Sequence, residues 1–165
     1  MDLKEYGLFW RQAGERIAEL TGVMALTVDD EMAKRIRGLA LGSRILFWLP
    51  PTGRGRGRDV DSFREEETCV VFVMEKYDPG RRQGIDVLES TQGAIERVKE
   101  LILESHRRCI GPIRLGSLEI STMAETRFFA GFAGWSISFT AVSPIGDGDY
   151  RHRRKFSDEF GEIFD

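Results

Sequence analysis

Apolar residues recur at three- and four-residue steps at the start of the chain. Leu3, Tyr6, Phe9, Trp10, Ala13, Ile17 and Leu20 fall on one face and predict an amphipathic helix over 3–20. Asp2, with Glu5 three residues on, supplies a capping-box start, and Thr21-Gly22 an end. Gly7 and Gly14 weaken that helix. A shorter helix is predicted over 29–40: Asp29 and Asp30 suit its positive end, and Met32, Ile36 and Leu39 mark one face. Leu41-Gly42 closes it. RILFWLPP (44–51) reads as a strand halted by two prolines.

The pattern then lapses. TGRGRGRDVDSFREEE (52–67) holds almost no core-forming residues and reads as a mobile loop. TCVVFVMEKY (68–77) is apolar on both faces, as a central strand is, and Asp78-Pro79-Gly80 turns the chain. The strongest helix spans 84–106. Ile85, Leu88, Ile95, Val98 and Ile102 share its dry face, flanked by Val87 and Leu101, and Glu96, Lys99, Glu100 and Arg107 take the wet side. After the Gly111-Pro112 break come strand-like segments at 113–121, 124–130 and 134–143. In the last, Trp135, Ile137, Phe139 and Ala141 alternate with Ser136, Ser138 and Thr140. The order predicts an α+β fold: a single mixed or antiparallel sheet of about five strands with helices packed on one face. Residues 1–145 form one domain on this reading, and 146–165 a charged C-terminal tail.

Composition narrows the function classes. The chain has 165 residues, 41% hydrophobic and 31% charged, with a net charge of −3. That is a globular composition, without the basic excess of a dedicated nucleic-acid binder. Cys69 and Cys109 read as reduced thiols, and no CxxC pair scaffolds a zinc site. The opening MDLKEYG lacks the basic and apolar regions of a secretory signal, and no apolar run reaches the length of a membrane helix. The expected setting is cytoplasmic, without a membrane.

Candidate chemistry is sparse. His106 sits at a helix end, where the macrodipole favours a cation, and His152 in the charged tail. Glu65-Glu66-Glu67 reads as a solvated lead-in to a strand. Asp147-Gly148-Asp149 lacks the later oxygens of a calcium loop. The aromatic run 125–139 departs from the residue order of an RNA-recognition strand, and reads as a core strand with a bulge or turn at Gly131 and Gly134. No catalytic, metal-binding or cofactor residue is nominated, and no cofactor; the expectation is a protein that is not an enzyme. The candidate interaction residues are Arg54, Arg56 and Arg58, alternating with glycine, and Arg151, Arg153, Arg154 and Lys155 of the tail. Residues 53–68 hold four arginines but five acids, so the loop's charge cancels locally. A nucleic-acid-binding module built on these residues is the alternative to an assembly subunit, and its binding would fall steeply with salt.

Five segments together resemble a known family: LKEYGLFWRQAGERIAEL, VDDEMAKRIRGLALGSRILFWLP, CVVFVMEKYD, GIDVLESTQGAIERVKELILESH and GWSISFTAV. In that order they look like phage tail-completion proteins of the tail-terminator type, as found in phage-like elements of Bacteroidetes. The resemblance covers about residues 3–143 and is one of pattern, with no diagnostic motif. It leaves out the 52–67 loop and the tail. It implies a homo-oligomeric ring, usually a hexamer, that caps a tail tube, meets tube or connector proteins, and is incorporated in a phage-like particle. It implies no active site: sheet edges and loops would bury surface between subunits. A head-to-tail ring needs two unlike surfaces, and the basic 54–58 run and the acidic tail beyond 158 are candidate complements.

Overall fold

The computed structural model describes residues 1–27, 30–56, 64–128 and 131–144. Among them are three helices and six strands: α1 (Leu3–Arg16), β1 (Gly22–Ala25), α2 (Asp30–Gly38), β2 (Arg44–Trp48), β3 (Thr52–Arg56), β4 (Arg64–Lys76), α3 (Gly84–Arg108), β5 (Leu115–Phe128) and β6 (Phe132–Pro144). The fold is α+β. One sheet runs in the order β1-β2-β4-β6-β5, and β3 pairs with β4 beyond the end of β2. The sheet is mixed, because β1 lies parallel to β2 and every other pairing is antiparallel.

Helix α1 starts where the sequence predicts. The Asp2 carboxylate accepts from Lys4 N at 2.8 Å and Glu5 N at 3.2 Å, meeting backbone donors that the helix itself leaves unpaired. The helix stops at Arg16, earlier than its apolar period suggests, because Ile17 turns to an extended conformation (φ −87°, ψ 100°) while staying buried. The freed residues carry the chain into β1, a four-residue strand that periodicity alone does not reveal. A Cβ on Gly14 would lie 1.8 Å from Val23 Cγ2. The glycine that weakens the helix in sequence therefore lets α1 lie close against β1.

Helices α1 and α3 cover one face of the sheet. Tyr6, Phe9 and Trp10 join Ile95, Val98 and Ile102 over Leu46, Val71, Val73, Ile137 and Phe139. The stripes predicted along 85–102 and 135–141 thus meet in one interior, except that Ile85 is 54% exposed. Burying each large side chain contributes roughly 1.5–3 kcal/mol. Helix α2 departs from the expected one-sided arrangement. Its Ile36, with Leu39 beyond its end, packs against Ile45, Phe47, Phe72, Met74 and Phe132 on the opposite face. Lys76 Nζ fixes it there by donating to the carbonyls of Arg37 at 2.8 Å and Leu39 at 2.6 Å, a cation where a helix end is negative.

The reading of 52–67 as loop is corrected at both ends. Thr52–Arg56 and Arg64–Thr68 are paired strands. The prolines do end β2, which stops at Trp48, but pairing with β4 resumes at Thr52. Trp48 pairs with Val71 and Thr52 with Thr68, so residues 49–51 face only 69 and 70. That is a bulge, where proline's missing N–H costs no ladder bond, and Leu49 N still reaches Val70 O at 3.0 Å. The three strands expected between 113 and 143 are two. β5 runs through the position where a break was read, because its stretch 121–124 is exposed on both faces and shows no alternation.

Candidate interaction surface

β5 is the outermost strand on one side of the sheet and pairs only with β6 among the described residues. It is 14 residues long, and Ser121, Thr122, Met123 and Ala124 are all exposed, Met123 by 59%. The stretch Ile120–Ala124 contains no charge and no proline. Those are the usual devices that keep an edge from pairing with another chain. Backbone donors and acceptors on its outer side are left for solvent or a partner.

The sheet face away from α1 and α3 continues this surface. Thr68 pairs with Thr140, and Val70 with Ser138, which pairs with Ser121; the next row, Phe72 with Ser136, is buried and belongs to the core on this face, and only Met123 beyond Ser136 is exposed. Side chains opposite one another in a ladder share a face, so the rows outside that core are a band of hydroxyls with a few apolar members. The Ser136 hydroxyl donates to Glu125 Oε1 at 2.9 Å.

The opposite side of the sheet ends in two short strands, β1 and β3. Of the arginine–glycine tract, Arg54 is exposed on β3 and pairs across to Glu66; Gly53 faces Glu67 and Gly55 faces Glu65. Arg56 pairs with Arg64 along the backbone. The acidic run is thus the return arm of the basic one. Among the described residues, Arg54 opposite Glu66 is the arginine of the tract that meets an acid across the strands. Arg58, Arg151, Arg153, Arg154 and Lys155, with His152, Asp147 and Asp149, lie outside the described residues.

A cleft of about 290 Å³ opens beside β1. It is lined by Gly7 and Arg11 of α1, Val23–Ala25, Thr27, Met32 and Arg35 of α2, and Trp48. Consecutive strand residues point to opposite faces, so a cavity touching all of 23–25 sits at the edge of that strand. Arg11 and Arg35 are exposed at its rim.

The buried carboxylates have structural partners. Glu75, 2% exposed, accepts from Arg44 Nε at 2.7 Å, from the Ser90 hydroxyl at 3.0 Å and from Arg82 Nη1. This ties β2, β4 and α3 together and occupies both carboxylate oxygens. Glu67, also buried, accepts from the amine of Met1. His106 Nδ1 accepts from Leu115 N at 3.2 Å. The imidazole thereby clamps the start of β5 to the last turn of α3. Burial pushes the Tyr6 phenol well above its usual range, and pushes the Cys69 thiol up to about 12. Cys69 is therefore an unreactive core thiol, whereas Cys109 is exposed. Among the described residues, no group of three His, Cys, Asp or Glu side chains is placed to hold a metal ion, and no helix is long and apolar enough to cross a membrane.

The Glu75 cluster escapes a sequence reading because its members lie at 44, 75, 82 and 90, with no spacing to betray them. The meeting of Arg11 and Arg35 at one cleft escapes it for the same reason. No family model and no curated protein matches the chain.

Proposed function

We propose that this chain is a structural assembly subunit of the tail-terminator kind, closing into a homo-oligomeric ring through its sheet edges. The observation that carries the reading is the long, exposed, uncharged middle of β5. Such an edge adds a strand from another chain readily, because main-chain hydrogen bonds supply the affinity. The other edge of the sheet is unlike it: two short strands, β1 and β3, with Arg54 on β3. Two unlike edges favour head-to-tail contacts, which close into a ring when the rotation per subunit divides a full turn. The work of such a subunit is to bury surface against its copies and against a tube or connector protein, with no bond made or broken.

Light scattering on fractionated protein over a wide concentration range tests this. The expected result is one oligomer of fixed mass that gives way to monomer on dilution. Met123→Lys, which places a charge on the β5 surface without touching the core, shifts the midpoint of that transition at least roughly ten-fold toward higher concentration. A monomer at every concentration would contradict self-assembly. An oligomer indifferent to Met123→Lys would remove β5 from the interface.

A further inference from the structure

The two ends of the sheet are in step. Through the pairings that link them, Gly22, Val23, Met24 and Ala25 of β1 lie level with Glu125, Ala124, Met123 and Thr122 of β5. The whole of β1 therefore occupies the same rows as the bare stretch of β5. No described strand pairs with the outer side of either. β3 lies in other rows, since Thr52–Arg56 are level with Thr140–Pro144. β1 runs antiparallel to β5. A second copy set beside the first and facing the same way brings its β1 against β5 as an antiparallel pair, with no slide along the strands.

The same placement brings two helix flanks together. α1 and α3 lie on one face of the sheet. In α3, His106 bonds Leu115 of β5 and Ser90 bonds Glu75 of β4, which fixes the flank that overlooks the β5 edge. At 3.6 residues per turn, Ile85, Gln92, Glu96, Lys99 and Leu103 share that flank with His106. In α1, Gly14 lies against Val23, and Arg11 lines the cleft beside Val23–Ala25, so this flank overlooks β1. Leu3 shares it with Gly7 and Gly14. Leu3, Arg11, Glu96 and Leu103 are all exposed.

The two flanks match end to end. α1 begins where the Met1 amine meets Glu67, and α3 finishes where His106 meets Leu115, which pairs with Ala141 opposite Glu67. Leu3 and Leu103 thus lie toward the same end of the sheet. From there Arg11 is about 12 Å along α1 and Glu96 about 11 Å back along α3, at about 1.5 Å per residue. We infer that the α1–β1 side of one copy docks on the β5–α3 side of the next. Gly22–Ala25 pair with Thr122–Glu125, Leu3 covers Leu103, and Arg11 meets Glu96. The inference rests on the assembly proposed above and names the two surfaces that build it. Opposite charges at a rim fix register and exclude wrong partners, here the reversed placement of the copy.

Light scattering over a wide concentration range tests it on Arg11→Glu, Glu96→Arg and their combination. Each single reversal sets like charges against each other. It is expected to move the assembly midpoint roughly ten-fold toward higher concentration, and the combination to return it to within roughly three-fold of the unaltered chain. Arg54→Glu, on β3, is expected to leave the midpoint in place. Reversals without effect, a combination that fails to restore assembly, or a ten-fold shift in Arg54→Glu each overturn the inference. If Met123→Lys still dissociates the oligomer in those cases, the assembly itself stands and only its second surface is wrong. An unaltered chain that stays monomeric throughout overturns both.

Discussion

The side chain that Gly134 lacks matters more than most that the sheet contains. A Cβ there would lie 2.0 Å from the Val73 carbonyl oxygen and 2.9 Å from Met74 Cα. Both are backbone atoms of the central strand and cannot swing aside. Gly134→Ala is expected to cost roughly 2–4 kcal/mol, read as a lowered urea midpoint with unchanged slope. Cys69 sets a different test. Its thiol titrates near 9.0 when exposed and near 12 in the folded chain. Between those values the folded state keeps a proton that the unfolded state has lost. Its contribution is complete below pH 9, falls as pH rises, and is gone above about 12, at about 1.4 kcal/mol per pH unit in between. Tyr6 acts in the same direction from its usual 10.0 upward. Alkaline unfolding curves should therefore show stability declining from pH 9, with the onset moved toward pH 10 in Cys69→Ala. At neutral pH a thiol reagent should titrate Cys109 alone until denaturant is added. Glu75→Ala leaves Arg44 and Arg82 without their carboxylate. Both guanidinium groups keep some solvent, so the expected loss is about 2–3 kcal/mol, below that of a fully buried pair.

At the scale of elements, what was legible in the sequence follows how deeply each one is buried. α1 and α3 each bury one stripe, and both are plain in the apolar period. β4 is apolar on both faces from Cys69 to Met74 because helices lie above it and α2 contributes below. Glu67 of the same strand, read as solvated, is buried against the Met1 amine. At Glu65 and Glu66 the strand is only half-buried, and its sequence there is that of a loop. β3 was hidden for the same reason, and its alternating arginine and glycine carry no hydrophobic signal. The bulge at Pro50-Pro51 explains why pairing resumes beyond the prolines that end β2. β5 was split in two because an edge strand exposed on both faces need not alternate. Its register is held at the start by His106. His106→Ala is expected to cost about 1 kcal/mol and to speed exchange of the Leu115 amide, with little change in β6.

For the whole molecule, the α+β class and the central helix-on-sheet interior were legible because they rest on summed burial. The surface that the proposed function uses was not, because an edge is defined by what fails to pair with it. No residue type announces that β5 ends the sheet while β4 lies in its middle. Of the arginines singled out by composition, Arg54 faces Glu66 and Arg56 faces Arg64 across β3 and β4, and the proposed interaction surface is the uncharged stretch Ile120–Ala124 of β5. A sheet with one long bare edge and one short charged edge is suited to adding copies of itself in one direction. Electron microscopy of the assembled protein tests that account most directly. It predicts closed rings of a single diameter with an open centre, lost in Met123→Lys. Isolated monomers, or two-fold dimers with β5 against β5, would contradict it.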